Sequence, residues 1–369
     1  MTKRIKSLLF LFIIPFIFLS CRSNSNNIEV TLEKYKASEE YKDNVDLVFP
    51  IISCENSKVK EKINTYIQLS ELDIIKGLEK NSIFERRFDE AKFTFPGIPE
   101  GLLELNYQLF NNTQNNFSFS LYHIYQWATL SYWIEYYNFN PQNGDRYYLK
   151  DFFDSTNFHK MKEILYPHFK ELFYSDKNQC KDINTKYYLD IFLNEEFLFE
   201  DFYFTKDSLS LDIFNILGKN DKSCFEETRF GVPILKIKHL LNEYGIAAMI
   251  SGENLYKYSY IGGIQFYKGK VDEKYYFYLL YSLDERKTHM NGKVISTNTY
   301  MNGKFITTNT GKVYNFEGNV TNNIFEFPIN EIDNRKEGSV KFEFKDNCLI
   351  GSKLDSLNRV EFSLKAKRL

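Results

Sequence analysis

The residues able to do chemistry are few and scattered. Five histidines, His123, His159, His168, His239 and His289, never fall three or four positions apart, the spacing at which a helix turns two imidazoles toward one metal ion. Neither an H-E-x-x-H nor a C-x-x-C pattern occurs, so the chain reads as having no metal site and no cofactor. G-x-S-x-G elbows, Walker loops and G-x-G-x-x-G fingerprints are missing too, which removes the commonest hydrolase and nucleotide-binding signatures. Two acidic pairs are left, Glu195-Glu196 and Glu226-Glu227. Such carboxylates act as the acid and the nucleophile of a glycosidase when the fold sets them the right distance apart, and are solvated surface otherwise. His123 stands on the apolar side of an alternating strand, the place of a hydrogen-bonded core histidine more than of a catalyst.

Rings are more concentrated than titratable groups. Tyr122, Tyr125, Trp127, Tyr132, Trp133, Tyr136 and Tyr137 crowd one short stretch, where they serve either as stacking platforms for sugars or as cross-strand pairs in a core. Trp133 and Tyr136 are three apart and so lie on opposite faces of a strand, which lets at most one reach solvent. Trp127 and Trp133 are the ligand-binding candidates. Cys180 and Cys224 sit in polar loops and are expected to form a disulfide if the compartment is oxidising, while Cys54 and Cys348 lie beside apolar residues as buried thiols.

The compartment is read from the N-terminus. Lys3, Arg4 and Lys6 precede an uncharged apolar run over residues 8–19, too short for the roughly 20 residues that cross a bilayer as a helix. The run ends at Ser20-Cys21 and resembles a bacterial lipobox, which implies cleavage and diacylation at Cys21. Residues 1–20 are then a signal peptide and residues 21–44 a polar, lipidated tether. The chain is expected in the bacterial cell envelope, extracytoplasmic and held to the membrane through its lipid anchor. A net charge of −2 supplies no basic field for a phosphate backbone, so no nucleic-acid partner is expected.

The elements that must position these residues follow from hydrophobic period. Residues 45–52 read as a strand and 57–80 as a helix, with Val59, Ile63, Ile67, Ile74, Ile75 and Leu78 on one side. Strands follow at 102–110, 117–127 and 130–139, the second alternating Phe117, Phe119, Leu121, His123 and Tyr125 on one face. Pro141-Gln142-Asn143-Gly144 then marks a turn. Helices are expected over 151–174, 187–193 and 237–244, and a hairpin over 197–204 and 209–214. Past residue 251 helical periodicity ends and short aromatic strands alternate with turn residues. Residues 275–281 are apolar on both faces, the pattern of a strand buried on two sides. A tandem repeat places Asn291-Gly292 and Asn302-Gly303 eleven apart, and each fits a tight hairpin turn. The fold class is α+β: a mixed α/β-sheet domain over 45–250, then a smaller antiparallel all-β domain over 251–369.

The first of these domains resembles a known family. Val45-Asp46-Leu47-Val48-Phe49-Pro50, the segment 59–67, Tyr137-Asn138-Phe139-Asn140 with Asn143-Gly144, Leu149-Lys150-Asp151-Phe152-Phe153, the segment 202–209 and Gly231-Val232-Pro233-Ile234 look like successive blocks of one domain. It is the extracellular domain shared by lysozyme-sensing anti-sigma factors of the RsiV type and polysaccharide deacetylases of the PdaC type. Where that family carries a Gly-Ala-His element this chain has Trp127-Ala128-Thr129-Leu130. The resemblance implies a non-enzymatic binding module for an extracellular or periplasmic protein, in the manner of lysozyme, or for a cell-wall glycan. The alternatives are a cell-wall hydrolase with an unrecognised carboxylate site and a structural surface lipoprotein.

Overall fold

The computed structural model describes residues 28–39, 41–88, 101–174, 183–194 and 199–251 of the first half. In the second half it describes 265–271, 275–290, 293–308, 310–320, 324–331, 336–345, 348–354 and 360–368. Cys21, Cys180, Glu195 and Glu196 lie outside the described residues.

A five-stranded sheet forms first, in the order β1 (Glu29–Lys34), β2 (Asp46–Ser53), β3 (Gly101–Asn112), β4 (Phe117–Gln126), β5 (Leu130–Phe139). Neighbours are antiparallel except for the short parallel contact of β2 with β3. Residues 29–34, which composition assigns to the tether, are therefore a folded edge strand. Their apolar alternation is only Val30 and Leu32, and it is pairing with β2 that orders them. Helix α1 (Ser57–Glu71) starts where Asn56 Oδ1 accepts from the backbone N–H of Lys58 and Val59. It lays Val59, Ile63, Tyr66 and Ile67 on one face of the sheet, against Phe117, Phe119 and Phe139.

The helix ends nine residues before the expected 80. At Asp73 the backbone turns left-handed, with φ 53°, and the side chain is gripped from two sides, by Arg87 at 2.8 Å and by Lys304 at 2.6 Å. Ile74, Ile75 and Leu78 still reach the core, but from a loop. Tertiary ion pairs thus overrule a periodicity that by itself favours more helix.

The other face of the sheet is covered by a lobe built from α2 (Ser155–Tyr174), α3 (Thr185–Asn194) and the three strands β6 (Phe202–Phe204), β7 (Ser208–Asp212) and β8 (Arg229–Pro233). The hairpin expected at 197–204 and 209–214 is β6–β7, and β8 adds a strand the period did not reveal. In place of the helix expected over 237–244 there are isolated turns at Ile234–Ile237, Lys238–Leu240 and Glu243–Ile246. Buried polar groups stitch the lobe to the sheet: Ser118 Oγ accepts from Phe204 N at 3.0 Å, and Asn138 Nδ2 donates to the Phe202 carbonyl at 2.7 Å.

The second half is a closed antiparallel barrel of eight consecutive strands. They are β9 (Gln265–Val271), β10 (Tyr275–Met290), β11 (Lys293–Thr307), β12 (Val313–Asn319), β13 (Ile324–Glu331), β14 (Lys336–Lys345), β15 (Cys348–Leu354) and β16 (Val360–Arg368), with β16 closing on β9. Phe277, Leu279, Tyr281, Met301, Phe305, Phe316 and Phe342 fill the interior, as a barrel of this size requires. Leu280 and Tyr278 point the other way, into the cluster beneath α1, which explains why that strand is apolar on both faces. Asn302-Gly303 corrects an expectation: it lies inside β11, opposite Ser282 and Tyr281, and makes no turn. Glycine is needed there because a Cβ would stand 2.3 Å from the Leu280 carbonyl oxygen and 2.7 Å from the Phe316 ring.

Candidate functional site

The early end of α1 leaves part of the sheet uncovered. Strands β4 and β5 run on past the helix terminus, and a cleft of about 290 Å³ opens over them. Its floor comes from the register of the two strands, which sets His123 beside Trp133, Leu121 beside Glu135 and Phe119 beside Tyr137 on the face that looks at α1. Tyr66, Ser70 and Glu71 from the end of α1 form one wall, and Arg87, Leu102, Tyr125 and Arg146 complete the rim.

Glu71, the last residue of α1, is held by both oxygens. One accepts from the Tyr137 hydroxyl, and the other lies 2.7 Å from His123 Nε2. A carboxylate only accepts, so Nε2 carries the proton and Nδ1 is left over. His123 is 2% exposed, and its Nδ1 has no hydrogen-bond partner. The sequence reading of His123 as a hydrogen-bonded histidine on an apolar face therefore holds, with the addition that it lines a cleft. The indole of Trp133 stacks on it almost parallel, with centroids 4.6 Å apart and an interplanar angle of 4°.

Glu135 is different from Glu71. None of the described hydrogen bonds or ion pairs engages it. Burial, and then the negative charge of Glu71, push its carboxyl up to about 7, against the pull of Arg146 and His123. Arg146 follows the turn at 141–144, where Gly144 adopts the φ of 73° that the Asn-Gly pair signals. Its guanidinium donates to the Tyr66 hydroxyl at 2.6 Å and to the Tyr136 carbonyl at 3.0 Å. It also lies 5.0 to 5.6 Å from the ring centroids of Tyr66, Tyr137 and Tyr148. Behind β5, Asn215 brackets Ile134 by donating to its carbonyl at 2.6 Å and accepting from its N–H at 2.9 Å, so the edge strand that bears Trp133 and Glu135 is held in register. Asp201 on that side is raised to about 8, first by burial, although Asn215 donates to it.

The sequence-derived candidates separate. Trp133 lines the cleft, whereas Trp127 is 68% exposed in the turn between β4 and β5. Tyr136 is buried on the opposite face, its hydroxyl given to Asp212. Glu226 and Glu227 are exposed away from the cleft, with Glu227 accepting from Arg229 N. Cys224 is disulfide-bonded, while Cys54 and Cys348 are free thiols. Among the described residues no group of three potential ligands could hold a metal ion. Sequence reasoning missed Glu71, Glu135 and Arg146. The signal for Glu135 was present: it is a lone carboxylate on the face of β5 that otherwise carries Trp133, Tyr137 and Phe139, and buried charge is costly unless something uses it.

Among solved structures, the chain is similar to a member of the DUF3298 family from Bacteroides fragilis NCTC 9343. The two are 13% identical, with a TM-score of 0.40 over 62% of this chain and 100% of that one. No protein family and no curated protein matches the chain.

Proposed function

We propose that this is a lipid-anchored bacterial envelope protein that binds a protein or cell-wall ligand in the cleft between α1 and β4–β5 without turning it over. The observation that carries the reading is the cleft wall itself: an indole fixed by stacking on a buried imidazole, beside a carboxyl to which no described residue donates. Rigid aromatic anchors with a few placed polar groups are what recognition sites use. Glu71, fastened by Tyr137 and His123, serves to hold that wall in place. The resemblance to RsiV-type and PdaC-type ectodomains supports an extracellular ligand, lysozyme-like in the first case and a glycan in the second.

Two experiments test it. Trp133→Ala is expected to weaken capture of the ligand pulled from envelope extract by about thirtyfold, roughly 2 kcal/mol, with little change in Tm, and Trp127→Ala to weaken it less. Unfolding of the Trp133 variant, or equal effects of the two, would count against the cleft. For the anchor, radiolabelled palmitate is expected in the wild type and absent from Cys21→Ser, which moves to the soluble fraction; equal labelling of both would remove the lipid from the proposal.

A second reading, hydrolysis of cell-wall glycan, is favoured by one observation, two carboxyl groups lining one cleft, of which Glu135 is raised to about 7 by burial and by the charge of Glu71. Release of product from purified peptidoglycan, abolished by Glu135→Gln in a folded protein, would replace the binding reading with this one.

A further inference from the structure

We propose that the group seated in the cleft is an alkylammonium, the end of a lysine-type side chain presented by the ligand. The inference rests on the binding reading above and specifies its chemistry.

Buried polar groups in folded proteins have partners, and each exception needs a reason. Glu135 is a half-buried case: it lines the cleft and no described donor reaches it, so its oxygens are served only by solvent or by what enters the cleft. The described cations that line the cleft, Arg87 and Arg146, are already committed. Arg87 bonds Asp73 at 2.8 Å and the Glu71 carbonyl at 2.9 Å. Arg146 is spent on Tyr66 and Tyr136 and enclosed by three rings. What the wall leaves open to a guest is therefore an acceptor, Glu135, beside a second carboxylate, Glu71. Trp133 and Tyr125 flank them and offer ring faces to a methylene stem and its terminal charge. A volume of about 290 Å³ suits one residue-sized group, at the low end of roughly 300 to 1,000 Å³ for small-ligand pockets.

A neutral guest would leave two mutually repelling carboxylates in the wall of one half-buried cleft. An ammonium neutralises one of them and donates to it. The groups that act on Glu135 are Glu71 from α1, His123 from β4, Arg146 from the turn after β5, and Glu200 and Asp201 ahead of β6. Below about pH 7 the empty site holds a proton on Glu135, which an ammonium guest must displace. Affinity is thus expected to fall about tenfold from pH 8 to pH 6.

The full chain is titrated calorimetrically with Nα-acetyl-lysine methylamide, with its norleucine counterpart, and with an N-acetylglucosamine tetramer, at pH 8 and pH 6. The lysine amide is expected to bind at least tenfold more tightly than the norleucine amide at pH 8. Glu135→Gln is expected to remove that preference and the pH dependence while the protein stays folded, because it replaces a costly buried acid by a neutral amide. Equal binding of the lysine and norleucine amides overturns the proposal, and this comparison needs no variant. If the sugar binds in a manner lost with Trp133→Ala and the lysine amide does not, the ammonium is wrong and the binding reading stands. If no probe binds and peptidoglycan is cleaved, both fall.

Discussion

Arg146→Met is expected to destabilise the protein by about 3 kcal/mol and to disorder the cleft. The guanidinium is the donor for the Tyr66 hydroxyl and the Tyr136 carbonyl, and its loss leaves both without it, at roughly 1 to 3 kcal/mol for a buried group left unsatisfied. Contacts with the rings of Tyr66, Tyr137 and Tyr148 go as well, and partly desolvated cation–π pairs contribute about 1 kcal/mol or more. Methionine restores some volume and none of the donors. Urea unfolding of the full chain measures the effect, and a loss below about 1 kcal/mol would show that the arginine is ornamental. The same substitution removes a positive charge that holds the Glu135 carboxyl down, so its titration by carbon NMR should shift upward from about 7. Arg146→Lys keeps the charge but not the planar fork and is expected to fall between the two.

The second large effect is expected at Asp73. This carboxylate is 6% exposed and sits at a left-handed backbone position. It joins Arg87, which also holds the Glu71 carbonyl, to Lys304, which reaches across from the barrel to the carbonyls of Leu69 and Ser70 at 3.2 and 3.4 Å. Both cations thereby also satisfy the otherwise orphan carbonyls at the α1 C-terminus. Asp73→Ala removes the shared anion and places a Cβ residue without a local hydrogen bond at φ 53°, itself worth about 1 kcal/mol of strain. A total near 3 to 4 kcal/mol is expected in denaturant melts. Asp73→Asn, which tolerates the backbone, should lose about half of that. In a double-mutant cycle Asp73→Ala and Lys304→Met are expected to couple by about 1 kcal/mol or more. Additivity within about 0.3 kcal/mol would mean that the barrel does not brace the helix end.

These two residues mark the limit of what local pattern reveals. Strand β5 was readable to the residue, because its rings and turn signals act within ten positions. So were the bulk of α2 and α3, where periodic apolar residues meet a core whatever its details, and the turn ending at Gly144, where an Asn-Gly pair tolerates the backbone required. Alternation along β4 also placed His123 correctly on the buried face. The sequence by itself determined the α+β order and which side of β4 is apolar.

The site came from elsewhere. Glu71 meets His123 and Tyr137 across 52 and 66 residues of chain, and Asp73 meets Lys304 across 231. No window of local periodicity contains such pairs. Only the tertiary structure decided that α1 stops at Glu71 where periodicity runs to 80, and that stop is what uncovers the cleft. It also turned Asn302-Gly303 from an expected hairpin turn into a strand interior, since a ring arriving from β12 needs the space a side chain would take. Hydrophobic period is a property of neighbours in sequence; where a helix ends and which carboxylate is left without a donor depend on groups that only folding brings together.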